Sequence, residues 1–221
     1  MISLNIGNVF ILGDSYSTFE GHIPDGYDSW YYSEIKKDTD VSNVNQTWWK
    51  QLLNETQANL VLNCSWSGTT ICNTGYNGDN THNSFITRFD KLAEKGFFKE
   101  NKIDTLFIFG GTNDTWANSP VGELEYANWD KQSLFSVLPA FCYLLNRVCE
   151  TCPLSRVICI INTDLKQEIV EGMKTACERY CAEYVELIDI DKQSGHPNKA
   201  GMAKIKEQIL HYLQKSVAKS D

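Results

Sequence analysis

The sequence predicts an α/β fold in which helices cover both faces of a parallel five-stranded sheet. Short apolar runs rich in β-branched residues alternate along the chain with longer segments of helical periodicity. The alternation is not interrupted by an internal repeat, a low-complexity tract or a linker. A chain of 221 residues, 42% of them hydrophobic, can bury a substantial core without disulfides. We therefore expect a single domain over residues 1–221.

Five runs are predicted as strands because each is short, apolar and bounded by polar or glycine-containing segments. They are residues 8–12, 58–64, 103–109, 156–161 and 184–188. Strands that are separated by helices run parallel, so their carboxyl ends meet at one edge of the sheet. Sites in such sheets form beyond that edge, which is where we look for functional residues.

Helical periodicity predicts five helices between and after these strands. They span residues 45–55, 84–94, 130–149 and 165–180, with a final helix that begins at Pro197. Pro139 predicts a kink or a break in the third helix. Pro197 is predicted as the first residue of the last helix, where its missing N–H costs nothing. The predicted inward face of that helix consists of Met202, Ile205, Ile209, Leu210 and Leu213.

The charge balance argues against two classes of partner. There are 28 acidic and 20 basic residues, which gives a formal net charge of −8. Nucleic acids and anionic membranes both attract basic surfaces, so we expect neither as a partner. No apolar run approaches the roughly 18 residues of a membrane span. Residues 1–8 lack the basic region and cleavage site of a secretory signal, so we expect a cytoplasmic protein.

The eight cysteines are predicted to be free thiols. Cys177 lies in an apolar pattern, where a thiol packs as a small hydrophobic group, as do Cys142 and Cys159. Cys149 and Cys152, followed by Cys177 and Cys181, could in principle form a four-thiolate zinc site. Their spacing is loose and both pairs fall in helical patterns, so we expect no metal.

Four predicted strands are each followed by a residue that suits acyl transfer. Ser15 and His196 could form a nucleophile and its general base, because a serine hydroxyl needs an imidazole to take its proton. The backbone N–H groups of Ser15 and Gly68 and the amide of Asn113 could hold an oxyanion. Each residue also has a structural explanation: Ser15 and His196 could belong to helix N-caps, and Asn113 to a turn.

The same residues lie in four short blocks that occur in a fixed order along the chain: Gly13-Asp14-Ser15, then Gly68, then Gly111-Thr112-Asn113-Asp114, then His196-Pro197-Asn198. In these blocks the chain resembles the GDSL/SGNH hydrolases over nearly its whole length. The resemblance implies a flavodoxin-like three-layer α/β/α sandwich and no metal or organic cofactor. It also implies that Ser15 is the nucleophile, that His196 is the general base, and that Ser15, Gly68 and Asn113 form the oxyanion hole.

One position departs from the family pattern. The family usually carries an aspartate three residues before the histidine, where this chain has Gln193. The nearest carboxylates are Asp191 and Asp189, and Asp191 could orient the imidazole if the loop turns back at Gly195. Alternatively the Gln193 oxygen or a backbone carbonyl holds the ring, which leaves a Ser–His dyad. We name Asp191 as the candidate third catalytic residue.

Aromatic residues near the strand ends suggest how a substrate is bound. Trp30, Trp66 and Trp116 are candidate substrate contacts, because flat rings stack on sugars and also line acyl pockets. The polar, asparagine-rich loop 73–83 favours a hydroxylated substrate over a fatty chain. We expect hydrolysis of a short acyl ester, preferably acetyl, on a carbohydrate. The alternatives are a thioesterase or lysophospholipase of the same fold, and a non-catalytic carbohydrate-binding protein.

Overall fold

The sheet has five parallel strands in the computed structural model, which describes residues 4–34 and 36–217. Residues 1–3, which belong to the segment 1–8 that the sequence predicts to carry no signal, lie outside these ranges. Residues 218–221, at the other end of the predicted domain 1–221, also lie outside them. The strands are β1 (Asn8–Gly13), β2 (Asn59–Ser65), β3 (Thr105–Gly110), β4 (Arg156–Ile161) and β5 (Glu183–Glu186). Their spatial order is β2-β1-β3-β4-β5. This is the flavodoxin-like order, so the predicted fold is confirmed.

Seven helices surround the sheet within the described residues. They are α1 (Trp48–Thr56), α2 (Phe85–Glu94), α3 (Phe97–Glu100), α4 (Thr112–Trp116), α5 (Val137–Thr151), α6 (Gln167–Arg179) and α7 (Lys199–Val217). Helices α2, α5 and α6 bury their apolar sides against one face of the sheet. Helices α1 and α7 cover the other face. The molecule therefore has three layers and two cores.

The central strand β3 shows why the sequence forms this sheet. All six of its residues are buried, which is what a continuous apolar run in a sheet covered on both faces predicts. Leu106 and Ile108 belong to one core, and Phe107 and Phe109 to the other. Successive side chains of a strand point to opposite faces, so one strand supplies both cores. All five predicted strands are present, and their bounds move by at most two residues.

The prediction of a helix over residues 130–149 that kinks or breaks at Pro139 is wrong. Helix α5 begins at Val137 rather than at residue 130, so Pro139 lies in its first turn. A proline is tolerated there because the N–H groups of the first turn have no partner within the helix. The residues that precede the helix form a separate 3-10 turn at Ser133–Phe135.

The predicted start of the last helix is also wrong. His196–Pro197 is a short strand that pairs antiparallel with Lys192–Gln193, and α7 begins at Lys199. Asn198 caps this helix, since its Oδ1 accepts a hydrogen bond of 2.8 Å from the Gly201 N–H. The predicted inward face of α7 is confirmed: four of its five residues are buried and Leu210 packs against the same core.

All eight cysteines are free, and only Cys149 and Cys181 are exposed. Within residues 4–34 and 36–217, no group of three or more His, Cys, Asp or Glu side chains is placed to hold a metal ion. None of the helices in that part of the chain is both long enough and apolar enough to span a membrane.

Candidate active site

Ser15 and His196 meet beyond the carboxyl ends of the strands. The Ser15 Oγ lies 2.9 Å from the His196 Nε2, and both side chains are buried. Ser15 begins a 3-10 turn directly after β1, and the Asp14 side chain caps that turn by accepting the Tyr16 N–H. His196 is carried by the short hairpin before α7. A hydroxyl and an imidazole at this distance can transfer a proton between them.

The glycine before this turn is required by close packing. A Cβ on Gly13 would lie 2.6 Å from the Ser65 Oγ and 2.9 Å from the Ser17 Cβ. Only a glycine lets β1 approach the end of β2 this closely, which brings the two following loops side by side. Ser15 and Gly68 belong to these two loops.

Three N–H donors follow the carboxyl ends of β1, β2 and β3, on Ser15, Gly68 and Asn113. The backbone N–H groups of Ser15 and Gly68 donate to no acceptor within the described residues. Gly68 is exposed with φ +80°, and a Cβ there would meet nothing within 4 Å, so its backbone faces open space. The Asn113 Nδ2 donates to the Thr69 carbonyl at 3.0 Å and keeps a second N–H. These groups have the chemistry of an oxyanion hole.

Tyr76 fixes the orientation of the Asn113 amide. Its hydroxyl donates to the Asn113 Oδ1 at 2.8 Å, which assigns the other end of the amide as the donor. Partial burial raises the pKa of Tyr76 to about 12, so the phenol stays protonated as a donor. Tyr76 lies between the short strands Thr74–Gly75 and Gly78–Asp79 and is 52% exposed, so its ring also reaches the surface beside the site.

A backbone carbonyl, not Asp191, accepts from the other nitrogen of the imidazole. The His196 Nδ1 lies 3.1 Å from the Ser194 carbonyl oxygen, while the Asp191 carboxylate pairs with the Lys204 Nζ at 2.8 Å. The structure thus contradicts the prediction that Asp191 orients the ring. The chain reverses within two residues, Ser194 and Gly195, which both have positive φ as in a type I′ turn. Such a tight reversal brings the Ser194 carbonyl to the ring.

The His196 imidazole is enclosed by aromatic rings. Trp30 stacks on it face to face, with ring centroids 3.5 Å apart and 8° between the planes. Tyr16 and Trp116 lie around it at centroid distances of 5.4 and 5.6 Å. Burial lowers the pKa of His196 to about 4; the bond to Ser194 opposes this shift, and the charges of two nearby lysines add to it. The imidazole is therefore neutral, as a general base must be, far below neutral pH.

The three tryptophans that the sequence suggested as substrate contacts occupy different places. Trp30 packs on the base itself. Trp116 borders the His196 hairpin with 43% of its surface exposed. Trp66 stacks on Tyr27 at 4.1 Å, and its Nε1 donates to the Asp28 carboxylate at 3.2 Å. Trp66 and Trp116 thus offer surface to a ligand, whereas the face of Trp30 is already occupied.

Comparison with known proteins agrees with this arrangement. The family model described as GDSL-like Lipase/Acylhydrolase matches residues 7–213. The chain belongs to this family. No curated protein matches it. A crystal structure from Bacteroides ovatus, provisionally named a GDSL-like lipase, is 44% identical and has a TM-score of 0.89; the match covers 95% of this chain and 98% of that one.

Two further solved structures are similar to this GDSL-like chain. A protein from Bacteroides uniformis, with the same provisional name, is 41% identical over 95% of this chain and 96% of its own, with a TM-score of 0.88. A family two carbohydrate esterase from Cellvibrio japonicus is 16% identical over 95% of this chain and 61% of its own, with a TM-score of 0.65. The last likeness is one of fold alone.

A buried arginine that the sequence reasoning missed supports the site of this GDSL-like chain. Arg88 is 1% exposed and donates to the Gly13 carbonyl at 3.1 Å, to the Thr69 Oγ1 at 3.0 Å and to the Cys64 carbonyl. It thereby joins the ends of β1 and β2 to the loop after Gly68. The signal was present, because Arg88 falls on the apolar side of α2 with Phe85 and Phe89.

Two buried carboxylates of the family blocks hold the loops rather than the substrate. Asp114 accepts the backbone N–H groups of Ile71 and Cys72, which ties the loop after β2 to the end of β3. Burial raises the pKa of Asp114 to about 6 even with these bonds, and it raises the pKa of Asp14 to about 7. Both side chains are fully enclosed and point into protein, so neither is available to a ligand.

Proposed function

We propose that this chain is a serine esterase that acts through Ser15 and His196. The observation that carries the proposal is the 2.9 Å contact between the Ser15 Oγ and the His196 Nε2. In the first step the Ser15 oxygen attacks the acyl carbonyl while the His196 Nε2 takes its proton. The oxyanion accepts hydrogen bonds from the N–H groups of Ser15, Gly68 and Asn113.

The imidazolium that forms then serves as the acid. It gives its proton to the leaving alkoxide, and the ester bond breaks to leave an acyl group on Ser15. Water attacks this acyl-enzyme with His196 again as the base, which releases the acid and restores the serine. While charged, the ring donates its Nδ1–H to the Ser194 carbonyl, and its face lies on the Trp30 indole, where a cation is attracted to the ring electrons.

The narrow surroundings of the nucleophile favour a small acyl group. Ser15 is 1% exposed and His196 5% exposed, so only a flat, slim group reaches the serine without movement of the surrounding rings. An acetyl group is such a group. Tyr76, which bonds to Asn113, and Trp116, which lies beside His196, have half-exposed rings, and we expect them to contact the bound ester.

A carbohydrate as the alcohol part of the ester is favoured by exposed aromatic surface among polar groups. Trp116 and the stacked pair of Tyr27 and Trp66 present flat rings near the site. Sugars place their apolar faces on such rings while their hydroxyls bond to neighbouring polar groups. Asp28 and the polar loop 73–83 are candidates for those bonds.

A series of p-nitrophenyl esters tests the proposal. We expect purified wild type to hydrolyse the acetate faster than the butyrate and octanoate, and Ser15→Ala to lose at least about 10³-fold in kcat. A fluorophosphonate should label the wild type at Ser15 and leave Ser15→Ala unlabelled. Equal rates in both proteins would refute the role of Ser15.

A second panel addresses the alcohol. It compares acetylated monosaccharides and xylan fragments with acetyl-CoA and a lysophospholipid, in wild type and Ser15→Ala. Preference for an acetylated sugar supports the proposal. Preference for the thioester or the lipid identifies one of the alternatives instead. Binding of the glycans without any cleavage or labelling would indicate a carbohydrate-binding protein.

A further inference from the structure

The hairpin that carries His196 is held from outside by a loop that the proposed mechanism does not use. The Asp38 carboxylate accepts two hydrogen bonds from this hairpin, one to each oxygen. The Gln193 Nε2 donates to Oδ1 at 2.6 Å, and the Ser194 Oγ donates to Oδ2. Asp38 is separated from both residues by more than 150 positions, so these bonds join distant parts of the chain.

Both partners of Asp38 stand next to the group that orients the imidazole. Ser194 supplies the carbonyl that lies 3.1 Å from the His196 Nδ1. Its side chain donates to Asp38, so a single residue links the carboxylate to the ring. Gln193, at the position where the sequence first led us to look for a carboxylate, instead donates to one.

The rest of the hairpin is fixed in the same way, which leaves the Ser194 peptide as the element that Asp38 controls. The Gly195 carbonyl accepts the Tyr16 hydroxyl at 2.5 Å, and the Pro197 carbonyl accepts the Tyr31 hydroxyl at 2.8 Å. Both tyrosines are buried and packed in the core. On the outer side of the turn, Gln193 and Ser194 bond to the Asp38 carboxylate.

We propose that Asp38 is a positioning residue for the general base, because its carboxylate holds the Ser194 carbonyl as the acceptor of the His196 Nδ1–H. The role of Asp38 in the reaction rests on the proposed esterase function. The ring must keep its proton on Nδ1 so that Nε2 is free to accept from Ser15. A carbonyl does this only if its peptide is held, since a loop at positive φ has alternatives close in energy.

The test uses three single variants, the double variant Asp38→Ala/Ser194→Ala and a matched control. Asp38→Ala removes both acceptors, Asp38→Asn keeps one oxygen acceptor, and Ser194→Ala removes the donor but keeps the carbonyl. Glu34→Ala is the control, because Glu34 is an exposed carboxylate of the same loop. For each protein we would record the ¹⁵N shifts of the His196 ring nitrogens, the kcat and KM for p-nitrophenyl acetate, and the melting temperature.

In wild type and Glu34→Ala we expect the ring shifts of a single tautomer with the proton on Nδ1. In Asp38→Ala we expect averaged shifts of two tautomers and a kcat about tenfold lower at unchanged KM, within the roughly 10²-fold that a 1 Å misplacement can cost. Asp38→Asn should lie between the two. The double variant Asp38→Ala/Ser194→Ala should be no slower than the slower of its two single variants. Both changes remove the same hydrogen bond between Ser194 and Asp38.

The outcomes separate the two proposals. Unchanged ring shifts in Asp38→Ala overturn the positioning role whether or not any ester is hydrolysed. Averaged shifts together with a higher KM and an unchanged kcat also show that Asp38 has no role in the chemical step. A wild type that shows the single tautomer but neither cleaves esters nor reacts with a fluorophosphonate overturns the esterase proposal and leaves the orienting role of Asp38 intact.

Discussion

Replacing Asp191 by asparagine distinguishes a carbonyl-oriented dyad from a Ser–His–Asp triad. The sequence alone pointed to Asp191, the carboxylate nearest to His196 along the chain. In the structure its carboxylate pairs with the Lys204 Nζ at 2.8 Å, and the ring bonds to the Ser194 carbonyl instead. Asp191→Asn changes one side-chain oxygen and leaves the Asp191 backbone carbonyl, which accepts the Asn198 N–H, in place.

The expected effects differ by orders of magnitude. If Asp191 were the orienting carboxylate, asparagine would favour the wrong tautomer and lower kcat by about 10⁴-fold, as in the serine-protease triad. The side chains of Asp191 and Lys204 are 46% and 45% exposed, so they form a surface ion pair. Such a pair contributes about 0.2–1 kcal/mol to stability and nothing to the imidazole. We therefore expect kcat within about twofold of wild type.

The assay is the steady-state hydrolysis of p-nitrophenyl acetate by wild type, Asp191→Asn and Ser15→Ala, with the melting temperature of each recorded. Ser15→Ala sets the background. A melting temperature close to that of wild type shows that Asp191→Asn is folded. A loss of 10³-fold or more in a folded Asp191→Asn would refute the dyad and restore Asp191 as the third catalytic residue.

Three further predictions follow from the surroundings of the site. The kcat/KM for an acetate ester should stay level down to about pH 5 and fall to half near pH 4, because burial lowers the pKa of His196 to about 4 and its unprotonated Nε2 must accept the Ser15 proton; a pH–rate profile measures this. Tyr76→Phe should lower kcat about tenfold at unchanged KM in the same steady-state assay, because the Asn113 amide loses the partner that fixes its donor. Arg88→Met should lower the free energy of unfolding by at least about 2 kcal/mol in a urea titration, because buried carbonyls lose their donor.

Each of these has a result that would contradict it. If kcat/KM falls to half at pH 6 or above, the His196 ring is solvated or lies beside a negative charge. Equal kcat in Tyr76→Phe would mean that packing alone holds Asn113. An unchanged urea midpoint in Arg88→Met would mean that water or a rearranged loop replaces the guanidinium.

The sheet was predictable because its signal is local. Each strand is an apolar run that needs burial on both faces, and β3 shows this in all six residues. The residues that follow the strands were predictable for the same reason, since parallel strands bring their carboxyl ends together. Ser15 and His196 meet even though 181 positions separate them.

The sequence-based predictions that were wrong depend on backbone geometry within a few residues. The sequence predicted that Pro139 kinks or breaks a helix and that Pro197 begins one. Instead Pro139 lies in the first turn of α5, and Pro197 pairs in a short strand. The same short strand explains the error with Asp191. A two-residue reversal at Ser194 and Gly195 was not distinguishable in the sequence from a wider loop, and only the wider loop would let a carboxylate reach the ring.

The separation between predictable and unpredictable residues follows from what each must do. In the proposed mechanism the nucleophile, the base and the oxyanion donors act on one substrate atom or its neighbour, so the sheet edge fixes their places. The orienting group needs only to be a fixed acceptor for the His196 Nδ1–H. A backbone carbonyl or a carboxylate can accept this hydrogen bond from several directions. Burial around the ring lowers the pKa of His196 to about 4, although the bond to the neutral Ser194 carbonyl opposes this shift. In the proposed mechanism the base is then weaker, but it stays unprotonated at pH values well below neutrality.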